Sequence, residues 1–314
     1  MKCLVTGATG FIGRQLCQHL KQRGDILLPL SRSGAPLPDG TPTQALDLAE
    51  AELPEELFAG VDAVCHLAGI AHRHSLPADY EALNHLASLR LARAAARAGV
   101  GCFIYISSVK AMGPATDARV RAEEDRAPTV DPYGRSKWAA EVDLRREFAS
   151  GPMAVVILRP ALVYGPGALG NLQLLARGVR WGLPRPPLAG ERSMIGVLDL
   201  VELAGDLCHD PPPAGVHTWI VSDGERYTTQ GLYDLLRQAL GKGRGRAWLP
   251  AWGWRLGSNL LDWLRPRDAT PTYERLFGTE LYSNAALLAA TNWRPHCRIE
   301  EAAAALVGSP SVPD

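Results

Sequence analysis

The chain has no excess of charge of either sign. Across 314 residues, 33 Lys and Arg stand against 33 Asp and Glu, so the formal net charge is zero. A balanced chain casts no global field toward nucleic acid or an anionic membrane, although a local basic patch stays open. It also lacks an apolar run of 18 residues, so no transmembrane helix is expected. The opening "MKCLVTGATG" has a lysine but no signal-length apolar region and no small-residue cleavage site. Its short apolar run reads as a buried first strand. The six cysteines, Cys3, Cys17, Cys65, Cys102, Cys208 and Cys297, are scattered, with no C-x-x-C and no metal-ligand spacing. Buried thiols in a reducing cytoplasm fit this pattern. His72 and His74 in "IAHRH" have no acidic or thiol partner nearby, so they read as a loop beside a pocket and no metal is expected. No internal repeat is present.

What is present is alternation. "KCLVTG", "ILLPLS", "AVCHLAG", "CFIYISS" and "MAVVILRP" read as strands. "FIGRQLCQHLKQRG" and "ALNHLASLRLARAAARAG" read as helices closed by Gly24 and Gly99. The apolar runs are nearly continuous, as strands buried on both faces are. The expected fold is α/β, a doubly wound parallel sheet of Rossmann type with a smaller C-terminal lobe over its carboxyl edge. The expected division is 1–165 for the dinucleotide-binding part and 166–314 for the lobe, with 194–222 returning to the sheet. The segment "WLPAWGWRLGSNLLDWL" reads as a lid or core element over a substrate rather than as an interfacial membrane helix. The tail "GSPSVPD" is expected to be disordered.

"TGATGFIG" places Gly7, Gly10 and Gly13 between a strand and a helix, with Thr9, Phe11 and Ile12 among them. A tight turn needs the first glycine, close approach to a pyrophosphate the second, and helix-on-strand packing the third. The helix N-terminus adds free N–H groups and a partial positive charge. At the end of the second strand, where an acid usually holds the adenosine 2′-hydroxyl, this chain has Ser31 followed by Arg32. A serine and a guanidinium suit a 2′-phosphate, so NADP is expected over NAD.

In "TVDPYGRSKWAAE", Tyr133 and Lys137 are four residues apart and share one helical face. A free phenol titrates near ~10 and needs positive neighbours to trade protons near neutrality. Lys137 and an oxidised nicotinamide ring are the expected sources of that charge. Ser108, at the end of "YISS", can hold a substrate oxygen in line with the phenol.

With these motifs the chain resembles the extended short-chain dehydrogenases/reductases, in their nucleotide-sugar epimerase/dehydratase branch. "TGATGFIG", "HLAG", "SSVKAMG", "YGRSK" and "LRPALVYGP" follow the family's order over nearly the whole chain. The resemblance implies a catalytic triad of Ser108, Tyr133 and Lys137. It implies that Asn84 helps hold the active-site backbone and that Asp47 and Leu48 form an adenine-side loop. Leu67, Ala68 and Gly69 become a strand end near the cofactor, and Arg159 and Pro160 a nicotinamide-side turn. On the substrate side it implies Asn171 and Arg192, the latter seven residues before Asp199. It further implies a homodimer built on two paired helices. Dehydratases of the branch carry Asp-Glu directly after the catalytic Ser/Thr; here Val109 and Lys110 stand there, which argues against elimination of water. Since "SSVKAMG" is similar to a lipopolysaccharide subgroup, the resemblance implies a cytoplasmic 4-ketoreductase. Its substrate would be a UDP-4-keto-6-deoxy-hexosamine in surface polysaccharide synthesis. A UDP-hexose 4-epimerase is the alternative and a non-catalytic dinucleotide sensor the remote one.

Overall fold

The first half of the chain builds a sheet from the inside outward. In the computed structural model, β1 (Lys2–Thr6), α1 (Phe11–Gln22), β2 (Ile26–Ser31) and β3 (Gln44–Ala45) come first. Then come β4 (Ala63–His66), α2 (Pro77–Tyr80), α3 (Ala87–Arg97) and β5 (Cys102–Ile106). A π-helical turn, Glu81–Leu86, joins α2 to α3. The chain continues with β6 (Val120–Arg121), α4 (Pro132–Phe148), β7 (Ala154–Pro160), β8 (Leu162–Tyr164), α5 (Asn171–Arg180), β9 (Met194–Gly196), α6 (Val197–His209) and β10 (Gly215–Val221). It closes with α7 (Thr229–Ala239), α8 (Ala251–Leu264), α9 (Thr272–Phe277), β11 (Leu281–Tyr282), α10 (Ala285–Ala290) and α11 (Ile299–Gly308). The structure describes all residues except 51, 72–74, 130, 169–170, 265–270 and 309–314. His72, His74 and the tail from residue 309 therefore lie outside the described residues.

Seven strands form one parallel sheet in the order β10-β7-β5-β4-β1-β2-β3. The chain steps from β1 out to β3 and then returns to the other side of β1. That reversal opens a crevice beyond the carboxyl ends of β1 and β4, where such sheets bind ligands. Alternate residues of β1 enter opposite cores. Cys3 and Val5 pack with Leu16, Leu20 and Leu200 of α1 and α6. Leu4 packs with Leu91 and Leu144 of α3 and α4. Burial on both faces explains why the strand sequences are continuously apolar. β10 extends the large sheet beside β7, so the chain enters the lobe, comes back, and leaves again.

The lobe has its own core, in which Val179 of α5, Leu232 and Tyr233 of α7 and Ile299 of α11 meet Tyr164. All six cysteines are free and only Cys297 is not fully buried. α8 departs from the expectation of a core element: only Trp254 and Ser258 of its 14 residues are buried. It is fastened to α9 by a Trp254–Phe277 edge contact at 5.7 Å and by Asp262, which accepts from the Thr272 amide. The remaining large apolar side chains point outward because one narrow stripe suffices for that attachment. No helix among the described residues is long and apolar enough to cross a membrane.

Candidate active site

The glycine turn fits a dinucleotide cradle on steric grounds. Gly7 has φ +67°, and a Cβ there would stand 2.7 Å from the Ala68 amide nitrogen. A Cβ on Gly13 would fall 2.2 Å from the Gly7 carbonyl oxygen, so only glycine lets α1 sit against the turn. α1 starts at Phe11 with Gly10 before it and no side-chain cap, which leaves its first N–H groups for an anion. Thr9 is exposed beside them, while Phe11 and Ile12 are half-buried and Phe11 reaches both the sheet core and the lobe core. Leu67, Ala68 and Gly69 follow β4 on the other side of the crevice. A Cβ on Gly69 would meet Asn84 Oδ1 at 2.8 Å and Lys137 Nζ at 3.4 Å.

At the end of β2 the Ser31 side chain is buried. Its hydroxyl lies 2.7 Å from Thr43 Oγ1, and Thr43 itself donates to the Ala35 carbonyl at 2.8 Å. Thr43 has one proton, so Ser31 donates to Thr43 and keeps its lone pairs. Arg32 is exposed. Asp47 accepts from the Ala49 amide at 3.0 Å, and the buried Leu48 offers its carbonyl to Arg90. The side chain of Leu48 belongs to the core, so it meets a ligand only through its backbone.

Asp131 caps α4 by accepting from Gly134 N at 2.9 Å, and Pro132 occupies the first turn. α4 then lies on the short turn Val109–Met112, which Ser108 caps by accepting from the Lys110 amide at 3.2 Å. Gly134 permits this approach, since a Cβ there would be 2.5 Å from the Lys110 carbonyl oxygen. The approach brings Tyr133 into hydrogen-bonding reach of Ser108. Burial pushes the Tyr133 phenol up to about 12, and the Ser108 bond pulls it back only in part. Lys137 is buried and donates to the Ile106 carbonyl at 2.9 Å, with its ammonium 4.6 Å from the Tyr105 ring centre. Burial brings the Lys137 amine down to about 7, opposed by the Glu141 charge. Burial, with the Asp131 charge adding to it, holds the phenol up, so Tyr133 stands as a protonated donor at neutral pH.

Asn84 sits in the π-helical turn, a distortion common at functional sites. Its amide brackets Ile70, accepting from the backbone N–H at 2.8 Å and donating to the carbonyl at 3.0 Å. It also donates to Ser136 Oγ at 3.0 Å. One side chain therefore ties the loop after β4 to the helix that carries Tyr133.

Arg159 does not belong to a nicotinamide-side turn. Strand alternation points it under the sheet end, where its guanidinium holds the fully buried Glu141 at 2.6–3.1 Å. Pro160, the last residue of β7, stays at the carboxyl edge. On the substrate side Asn171 begins α5, and its side chain lies outside the described part of the structure. Arg192 donates to the carbonyls of Arg275 and Leu276 at 2.9 and 3.0 Å, so it fastens the end of α9 to the lobe. Asp199 is fully buried and accepts from the His296 amide at 3.0 Å and the Cys297 amide at 3.1 Å. It anchors the "TNWRP" segment, whose Trp293 indole donates to the Asp199 carbonyl at 3.1 Å.

Three features were not visible in sequence motifs. A cavity of about 220 Å³ lies between the 113–118 loop and residues 274–280, with Asp131 and Thr129 on its wall. Lys110 crosses its base to pair with Glu280 at 2.8 Å, 170 positions away. Arg121 is buried and donates to the carbonyls of Met112 and Gly113 at 2.7 and 2.8 Å, which fixes the loop after Ser108.

Comparison with known proteins agrees with this geometry. A family model described as the NAD dependent epimerase/dehydratase family matches residues 3–183. A UDP-glucose 4-epimerase of Vibrio cholerae is 31% identical over 312 residues, covering 95% of this chain and 92% of that protein. The dTDP-6-deoxy-L-talose 4-dehydrogenase (NAD(P)(+)) of Kitasatospora kifunensis is 29% identical over 255 residues, covering 76% and 78%. The structure of MoeE5 in complex with UDP-glucose and NAD has a TM-score of 0.77 at 24% identity, covering 98% of this chain and 97% of that one. At that identity the likeness to MoeE5 is one of fold.

Proposed function

The chain belongs to the NAD-dependent epimerase/dehydratase family of enzymes, and from that premise we propose that it is a nucleotide-sugar 4-ketoreductase drawing on NADPH. Its substrate is a UDP-linked 4-keto-6-deoxy-hexosamine. The observation that carries the reading is the end of β2, where Ser31 and the exposed Arg32 replace the acid that would hold a free 2′-hydroxyl. A phosphorylated dinucleotide points to a turnover-by-turnover reductant rather than a retained cofactor.

The residues that would hold the dinucleotide are the glycine turn, the Ser31–Arg32 corner, the Leu67–Gly69 strand end and Lys137. When bound, that group supplies the hydride. The protein supplies the proton. Reduction adds hydride to C4 and a proton to O4, so one carbonyl becomes one secondary alcohol. Tyr133 gives its phenolic proton to O4, Ser108 holds O4 in line, and Lys137 stabilises the phenolate left behind. The phenol then regains its proton from solvent. Val109 has no titratable group and the Lys110 ammonium is engaged by Glu280, so the places used by dehydratases hold no carboxyl acid or base for eliminating water.

Epimerisation is the second reading, favoured by the full-length likeness to the Vibrio cholerae protein. The same triad serves it. Stoichiometry separates the two. The reductase consumes one NADPH per 4-keto sugar and shows no turnover without added cofactor. Interconversion of UDP-glucose and UDP-galactose with no net change at the nicotinamide band, together with indifference to 4-keto sugar plus NADPH, would reverse the assignment. Tyr133→Phe should lose at least about 10²-fold in rate in either case while still binding dinucleotide. We further propose a homodimer through α4 and the helical stretch formed by the Glu81–Leu86 turn and α3, which leave Val142 and Leu86 exposed. Light scattering that finds only monomer at micromolar concentration would remove that part.

A further inference from the structure

α8 carries two stripes, and only one of them is used inside the protein. At about 100° per residue, Trp252, Leu256, Leu260, Trp263 and Leu264 fall within an arc of about 120°. That arc lies away from Trp254 and Ser258, the two residues that face the protein. Its members are bare: Trp252 is 67% exposed, Leu256 61% and Trp263 75%. Trp248 continues the i, i+4 series ahead of the helix and is also exposed.

The charge along the chain beside this stripe is predominantly basic. From residue 240 to residue 264 the cations are Lys242, Arg244, Arg246 and Arg255, all exposed. The single acid there is Asp262, whose carboxylate is held by Thr272. The neighbouring segment 166–190 contains no acid at all. The two segments touch, for Arg185 N donates to the Arg246 carbonyl at 3.1 Å. The second segment adds Trp181, 87% exposed, beside the basic one. In a chain of zero net charge, such a face is a local orientation of charge rather than a general property.

We propose that this face docks the protein on the surface of an anionic bilayer. A helix with tryptophan and leucine on its outer arc and arginine at its flanks lies in the plane of a lipid interface, with the indoles at headgroup depth and the cations on lipid phosphates. A protein partner would want an evenly mixed rim; here the exposed cations Lys242, Arg244 and Arg246 outnumber the acids, Asp262 being tied to Thr272 and Glu274 lying on α9. The contact is peripheral, since α8 has 14 residues and its inner face belongs to the lobe. It is also close to the candidate site: α8 packs on α9, and Glu274 of α9 lines the 220 Å³ cavity.

The test is co-sedimentation of the full chain with vesicles of phosphatidylcholine alone and of phosphatidylcholine containing phosphatidylglycerol. Binding is expected to the anionic vesicles only, to fall with added salt, and to shift tryptophan emission to the blue. The variant Trp252→Ser/Leu256→Ser/Leu260→Ser should bind at least about tenfold more weakly, with an unchanged melting midpoint because these side chains are exposed. Arg244→Glu/Arg246→Glu should lose at least about fivefold for each charge. The proposal is overturned if neither vesicle binds, if both bind equally, or if the variants bind as the native chain does. It is also overturned if light scattering shows an assembly that the serine variant dissolves, for then a second copy covers the face. The lipid-charge and emission readings use the native chain and decide even if a variant fails to fold.

Discussion

Arg159 closes on Glu141 with both of the carboxylate's oxygens engaged, and the Ser107 hydroxyl donates to the same Glu141 at 2.5 Å. Both charged residues are buried to within 2% of complete. The pair therefore fixes the end of β5, from which Ser108 projects, to the helix that carries Tyr133 and Lys137. Arg145, part-exposed, also donates to Glu141 at 2.7 Å, so it is removal of the carboxylate that leaves the buried Arg159 uncompensated. Glu141→Gln should destabilise the protein by about 3–5 kcal/mol, whereas Glu141→Leu/Arg159→Met should lie near the native value. Thermal melts of the single and double variants read this directly.

The approach of α4 to the Val109–Met112 turn depends on the missing side chain at position 134. An alanine there would place its Cβ 2.5 Å from the Lys110 carbonyl oxygen, a backbone atom that cannot swing aside. The helix must move, and Tyr133 moves with it. Gly134→Ala should cost about 1–3 kcal/mol in stability and about 10²-fold in kcat, with little change in dinucleotide affinity. A variant of native kcat would show that Tyr133 does not require this contact.

How much of this was legible beforehand follows from distance along the chain. The glycine turn and the Tyr133–Lys137 spacing are local patterns, each set by one turn or one helix face, and both lie where the sequence puts them. Arg159 departs from the turn that the resemblance implies, because Pro160 stays at the carboxyl edge of the sheet while strand alternation turns the Arg159 side chain to Glu141. Lys110 and Glu280 could not be paired without the fold, being brought together by β11 running beside β6. The Trp-rich segment departs from a core element for a different reason. Apolar content predicts burial, but a helix with two apolar stripes needs a second neighbour to bury both, and composition does not say whether one exists.

Lys137 should write its burial into the pH dependence of stability. Its amine titrates near about 7 in the folded protein, against the ordinary lysine value of 10.5. Between those values the unfolded chain binds the proton and the folded one does not, so folding releases protons. Stability attributable to this site is complete above the ordinary value and is lost as pH falls through about 7. Lys137→Met removes the site. Urea midpoints of the native protein should rise from pH 7 to pH 10 relative to those of the variant, and parallel curves would mean that the amine is not held neutral. Tyr133, raised to about 12, has the opposite sign and acts only above pH 10, where its stabilisation fades.

The cofactor preference tests the reading on which the proposed reaction rests. Ser31 donates inward to Thr43 and keeps its lone pairs, so it does not attract a phosphate by itself. The attraction falls to Arg32, exposed at the next position. Removing that guanidinium by Arg32→Ala should weaken NADPH by about 1.5–3 kcal/mol, the worth of a charge-assisted bond, and leave NADH unchanged. Ser31→Asp should do the reverse of what a phosphate needs: its carboxylate repels the 2′-phosphate and accepts from a free 2′-hydroxyl, so NADH should tighten while NADPH weakens. Titration of the native protein with both dinucleotides comes first. Equal affinity, or tighter NADH, would mean that the corner at Ser31 tolerates a free hydroxyl without an acid. The case for a reductant drawn from the NADPH pool would then fall, and epimerisation with a retained NAD would become the better account of the same triad.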